Sequence, residues 1–271
     1  MRKIFTIALI LVILAAGIFL AIEYLDQIKS IAGSLASRQI DQIVISKENI
    51  TEKEVNKADN YTTEVTYPVF SGIRDSQAKE DINAHIKSSV FAVAESFKND
   101  ARENCDFSKL GDNAPDWTCE FYALPEAYNV IDRILSVRME YYRFTGGAHG
   151  ATNYVYLNYN LSTGKPVEWN SVFKSDSEYL KKISDFSRDY LIANITKGDN
   201  AMTNEEWVKE GTEPKSDNYN TNVGFNDFGI IILFQQYQVA AYAAGPQEVT
   251  IPYPEFKDFI DPAGPLSAKL N

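Results

Sequence analysis

The run "IFTIALILVILAAGIFLAI", residues 4–22, carries no charged side chain and follows Arg2 and Lys3. As a helix rising about 1.5 Å per residue it reaches about 28 Å, close to the hydrocarbon thickness of a bilayer. Basic residues ahead of it, and Glu23 and Asp26 behind it, predict an N-in orientation with all later residues outside. A cleaved signal peptide is the rival reading. Against it, the run is long for such an apolar segment, and no clean small-x-small site ends it, because Phe19 precedes Ala21 by two. "LAAG" has the look of a lipoprotein box, but Ile18 stands where the lipidated cysteine belongs. The expectation is a retained single-pass anchor over residues 1–23, in contact with the membrane through residues 4–22. The bulk of the chain is then extracytoplasmic, with no room inside for an effector domain.

Residues 24–58 are expected to form a juxtamembrane stalk and linker. Ile28, Ile31, Ala32 and Leu35 follow roughly helical spacing, and the polar stretch "SKENITEKEVNKADN" reads as a linker or a mobile edge. An α+β domain over 59–262 is expected next, in two modules, 59–125 and 126–262, before a Pro/Gly tail at 263–271. With 271 residues the chain can bury a sizeable core. Its net charge of −11 provides no basic stripe for phosphates, which argues against nucleic acid as a partner. A basic protein partner is favoured electrostatically.

Within the domain, "YTTEVTYPVFSGI" alternates as a strand does, with Pro68 marking an edge or a bulge. Asp75 then caps a helix whose one face holds Ala78, Ile82, Ile86, Val90, Ala94 and Phe97, with His85 near that face. Residues 120–147 read as strands parted by a turn near Asn129–Asp132, and "STGK" reads as the turn of a second hairpin. Ser175 and Glu178 have capping-box spacing ahead of a helix with Tyr179, Ile183, Phe186 and Tyr190 inward. Residues 197–222 read as a surface excursion, and "FGIIILFQQYQVAAY" and "EVTIPY" as a closing strand pair. The expected class is α+β: an antiparallel sheet with helices packed on it, without the alternation of a doubly wound sheet, preceded by the single transmembrane helix.

The chemistry is sparse. Cys105 and Cys119 flank a polar loop carrying Trp117, and in an oxidising compartment the two are expected to pair. The alternative is two unpaired buried thiols; the spacing and the lack of a nearby histidine speak against zinc. The chain has two histidines and no "HExxH" or "GxSxG", so metal and nucleophilic centres lack support, and no cofactor is expected. Glu140, Glu168 and Glu248 lie in apolar strand contexts where burial can raise a carboxyl pKa, which keeps a two-carboxylate hydrolase open. In "FTGGAHGATNY", Gly146, Gly147 and Gly150 fit a turn needing positive φ or close backbone approach. The structural reading leads there, and the functional alternative puts Arg143 and His149 at the rim of a ligand site. Gly245 and Pro246 likewise shape a bend in "YAAGP", with Tyr237 and Tyr242 as core or as surface anchors.

"ILSVRMEYYRFTGGAHGATNYVYLNYNLSTGKPV" and "FNDFGIIILFQQYQVAAYAAGPQEVTIPYPEF" together resemble a bacterial envelope domain of unknown function, DUF3298. That domain is the outer half of the lysozyme-sensing anti-sigma-V factor. "VTYPVFSGIRDSQAKEDINAHI" resembles the module that precedes it, DUF4163, also found in the non-catalytic region of a peptidoglycan deacetylase. The resemblance spans roughly residues 60–260. It implies a binding or sensing module outside the membrane, without enzymatic activity, for a lysozyme-like basic protein or a wall glycan. This chain departs from the relatives in having no cytoplasmic sigma-binding segment, no "TFDD"-like start and no paired metal histidines. A wall-active hydrolase and a structural partner of another membrane protein are the alternatives.

Overall fold

The computed structural model describes residues 45–111, 116–198, 202–219 and 222–270. The expected anchor and the stalk as far as residue 44 lie outside the described residues. Among those described, no helix is long and apolar enough to cross a membrane. Residues 45–271 form one compact unit.

Its first layer is a five-stranded sheet in the order β1 (Ser46–Asn56), β2 (Tyr61–Ser71), β3 (Cys119–Ile131), β4 (Ile134–Phe144) and β5 (Ala151–Asn160). Helix α1 (Ser76–Asn104) covers one face. Its apolar residues recur at helical spacing, so Ala78, Ile82, Ile86, Val90, Ala94, Phe97 and Ala101 form one buried stripe. Asp75 caps it, the carboxylate accepting from the Ala78 N–H at 2.8 Å. Beneath the stripe lie Tyr61, Val65 and Tyr67 of β2, Phe121 and Ala123 of β3, and Val137, Met139 and Tyr141 of β4. These are alternate residues on pleated strands, as a sheet with one covered face requires.

Three expectations change here. Residues 46–56, read as linker, are strand β1, antiparallel to β2 over their whole length. Their polarity is that of an edge strand exposed on most of its surface. The sheet is mixed rather than antiparallel, because β2 and β3 pair in parallel over Tyr61–Val65 and Cys119–Ala123, with α1 as the crossover. Pro68 lies past that parallel ladder, where its missing N–H breaks no bond to β3. The division expected at 125/126 falls inside β3, at a bulge between Pro125 and Ala127.

The second layer holds α2 (Tyr179–Ile195), α3 (Glu205–Gly211) and a three-stranded antiparallel sheet of β6 (Val223–Phe225), β7 (Gly229–Phe234) and β8 (Gln247–Pro252). Every residue of β7 is buried, which explains its unbroken apolar sequence. Ile230, Ile232 and Phe234 pack with Ile183 and Leu191 of α2, while Ile231 and Leu233 meet Tyr156 of β5. Helix α2 begins at Tyr179 without a side-chain cap, so the expected capping box does not form, and Tyr190 points outward at 46% exposure.

A buried polar network joins the layers. Ser136 Oγ donates to Asn158 Oδ1 at 2.7 Å and accepts from the Phe225 N–H at 3.1 Å, and Asn158 Nδ2 donates to the Val223 carbonyl at 2.9 Å. Each group finds its partner, so the burial of these polar atoms is compensated. The Cys105–Cys119 disulfide ties the end of α1 to the start of β3.

Candidate functional site

Strand β4 sorts its side chains between two environments. Met139, Tyr141 and Arg143 point toward α1, and Arg143 is ion-paired there with Asp100 at 2.5 Å. Arg138, Glu140 and Tyr142 point the other way, toward the face on which the three-stranded sheet packs. Arg143 therefore lies on the opposite face of the sheet from Tyr142 and is not brought together with His149. It lines instead a small apolar cavity of about 220 Å³ with Val93, Phe97, Phe121 and Tyr141.

On the face of Tyr142 two groups lie along β4. At the Tyr142 end is a row of rings. His149 stacks on Tyr242 with centroids 4.1 Å apart, and Tyr242 lies 5.7 Å from Tyr237. Tyr142 sits 5.8 Å from Tyr122 on β3. The turn that carries His149 is shaped by close approach. A Cβ on Gly150 would meet the Tyr142 ring at 2.4 Å, and one on Gly146, where φ is 95°, would meet the Phe107 ring at 2.9 Å. Gly147 and Gly245 also have positive φ, and Pro246 follows Gly245 into β8. The His149 Nδ1–H donates to the Gly150 carbonyl at 2.8 Å, and the Tyr242 hydroxyl donates to the same carbonyl at 3.1 Å. Tyr237 is held at φ 68°, with its carbonyl accepting from Trp207 Nε1 at 3.1 Å, and its side chain is 55% exposed. A non-glycine residue in that conformation, presenting a large ring to solvent, is the kind of local strain that gathers at binding surfaces.

Toward the other end of β4 is a charged cluster. The Arg138 guanidinium bridges Glu126 at 2.7 Å and Glu248 of β8 at 2.8 Å, and lies 4.6 Å from the centre of the Tyr154 ring. Glu140 neighbours Glu126 and Tyr154 in this cluster. Burial pushes the Glu140 carboxyl above the usual glutamate range, and the shared hydrogen bond and charge of Glu126 push it further, against the pull of Tyr154 and Arg138. Burial and the charges of Glu140 and Glu126 likewise raise the Tyr154 hydroxyl. A carboxyl raised by burial and by a neighbouring acid keeps a proton to give, which suits Glu140 to the role of a general acid.

Of the acids singled out in the sequence, Glu140 lies in this cluster, Glu248 reaches it through Arg138, and Glu168 does not belong to it. Glu126 was missed because it is the extra residue of the β3 bulge, a position that alternation does not assign. No group of three or more His, Cys, Asp or Glu among the described residues is placed to hold a metal ion.

Comparison with known proteins supplies context. Residues 54–152 match the family "Deacetylase PdaC", and residues 170–254 match "Protein of unknown function (DUF3298)". The peptidoglycan-N-acetylmuramic acid deacetylase PdaC of Bacillus subtilis is 26% identical over 210 residues, 76% of this chain and 40% of that protein. The chain thus spans well under half the length of the curated relative. A DUF3298 family protein from Bacteroides fragilis is similar in fold, with a TM-score of 0.61, 16% identity and coverage of 84% of this chain and 98% of that one. Another, from Pseudomonas aeruginosa, gives 0.59, 15%, 80% and 95%. These findings correct one expectation. The chain was read as having no enzymatic activity, and the curated protein it resembles is named as an enzyme.

Proposed function

We propose that this chain is a hydrolase of the bacterial cell wall, acting outside the membrane on the acetamide groups of peptidoglycan sugars. The neighbouring carboxyls Glu126 and Glu140, on the same strand face as a partly exposed row of rings, carry the reading. Flat apolar faces suit the C–H faces of sugar rings, and Tyr122, Tyr142, Tyr242 and Tyr237 offer several in succession. The carboxylate of the pair takes a proton from water as the water oxygen attacks the acetamide carbonyl. The carboxylic acid of the pair gives its proton to the departing amine, and acetate and a free amino sugar result. Similarity to a protein named as a peptidoglycan deacetylase supports both the polymer and the bond.

The test is a titration of the full chain with muropeptides carrying N-acetylated sugars. Wild type is expected to bind, and Tyr237→Ala and Tyr242→Ala to weaken binding by about tenfold each, as the loss of one stacking contact implies. Unchanged affinity in both variants would remove the ring row from the reading.

A lysozyme-like basic protein on the same face is a second reading, drawn from the resemblance to the anti-sigma-V outer domain. The net charge of −11 favours it. Binding of lysozyme that survives high salt, in place of glycan binding, would select it.

A further inference from the structure

We infer that the cleft at the Ile134 end of β4 binds the carboxylate terminus of a short peptide with small side chains. This site lies at the opposite end of β4 from the ring row and does not depend on the glycan reading. The cavity is about 540 Å³ and is lined by Arg133 and Lys165 together with Asp132, Pro166, Ala263 and Pro265. That volume falls within the range of small-ligand sites.

The two cations are brought together by backbone. Leu161 N–H donates to the Arg133 carbonyl at 2.7 Å, and Asn160 N–H donates to the Lys165 carbonyl at 2.9 Å. Two consecutive residues therefore clamp the two main chains that carry the charges. The Asn160–Lys165 turn is itself closed, with Gly164 N–H donating to the Asn160 carbonyl at 2.8 Å and Ser162 N–H to Asn160 Oδ1 at 2.9 Å. Asp132, with φ 52°, fixes the β3–β4 turn that presents Arg133.

Most features of this surface lead away from anion binding. Acids outnumber bases, 37 to 26, and Lys53, Lys87, Lys98, Arg138 and Lys182 are each neutralised by a carboxylate. Arg133 and Lys165 are different: among the described residues neither forms an ion pair, although Asp132 lines the same cleft. Two unneutralised cations on braced turns suit an oxyanion, with the planar guanidinium matched to both oxygens of a carboxylate. The remaining wall sets the small apolar side chains of Pro166, Ala263 and Pro265 among the hydroxyls of Thr163, Ser171 and Ser267, which suits methyl-sized side chains on a hydrogen-bonding peptide backbone.

The experiment is calorimetric titration of the full chain, held in non-ionic detergent, with acetyl-alanyl-alanine, with its C-terminal amide and with inorganic phosphate. The peptide acid is expected to bind, and the amide to bind about tenfold or more weakly, because it loses the charge-assisted contacts. Arg133→Gln and Lys165→Gln should each weaken the acid by about tenfold, leaving the melting temperature unchanged, since both side chains are exposed on turns. Arg133→Lys, which keeps the charge, should recover part of the loss. Equal binding of acid and amide, no binding of the acid, or insensitivity to both glutamine variants would overturn the proposal. Phosphate binding as tightly as the peptide acid would overturn its peptide part. Loss of glycan binding in Tyr237→Ala with this site intact would show the two sites to be separate.

Discussion

Arg138 Nη1 lies 2.8 Å from Glu248 Oε2, and this ion pair is a charged link from β4 of the five-stranded sheet to β8 of the three-stranded one. The same guanidinium holds Glu126 through Nε, so one cation faces Glu126, Glu248 and the neighbouring Glu140. Removing it would leave three carboxyls without their counter-charge. Arg138→Met should cost roughly 1–3 kcal/mol at pH 7, read by denaturant unfolding, with a smaller cost at low pH, where the raised Glu140 carboxyl takes up a proton. A cost independent of pH would mean that packing of the Arg138 stem, and not its charge, matters.

Glu140 should show its raised pKa as a stability change with pH. A carboxyl whose folded value exceeds its unfolded value favours folding at low pH, and that advantage is lost as pH rises from the ordinary 4.5 through the folded value. Glu140→Gln removes the titration, so the variant should equal or exceed wild-type stability at pH 7 and lose that edge near pH 4. Melting temperatures across this interval check the sign.

Glu52 and Glu54 behave in the opposite sense. Hydrogen bonds from Lys87 and Lys98 hold their carboxyls below the usual range and tie β1 to α1. Their contribution is full above 4.5 and is lost as pH falls through the lowered values. Hydrogen exchange should therefore show β1 amides losing protection on acidification before those of β3 and β4. Simultaneous loss in all three strands would contradict this.

The Cys105–Cys119 bond closes a loop with a sequence separation of 14. In the chain-entropy account its removal costs about 3 kcal/mol. Cys105→Ser with Cys119→Ser should lower stability by about that amount, and a reductant should have no further effect on the double variant.

Much of the first layer was legible in the sequence because its signals are local. The α1 stripe, its Asp75 cap, the alternation of β2 and the glycine turn before β5 each depend on neighbours a few residues away. The parallel pairing of β2 with β3 was not, since it joins segments separated by a whole helix and a disulfide loop. Strand β1 was hidden because an edge strand exposed to water has the composition of a linker. The site divided the same way. His149, Tyr237 and Tyr242 could be picked out as rings near glycine turns, and the structure stacks His149 on Tyr242 with Tyr237 tilted beside it. Arg143 was misplaced by the parity of β4, which sends odd positions to α1. Glu126 needed the bulge, which only the observed pairing with β4 reveals.

Acetate release from purified peptidoglycan incubated with the full chain reads the proposed hydrolysis itself. Wild type should release acetate with time, and Glu140→Gln should release at least about a hundredfold less, in line with the loss of an acid–base group, with muropeptide binding retained. No release by a folded wild-type chain that binds the glycan, or equal release by Glu140→Gln, would contradict it.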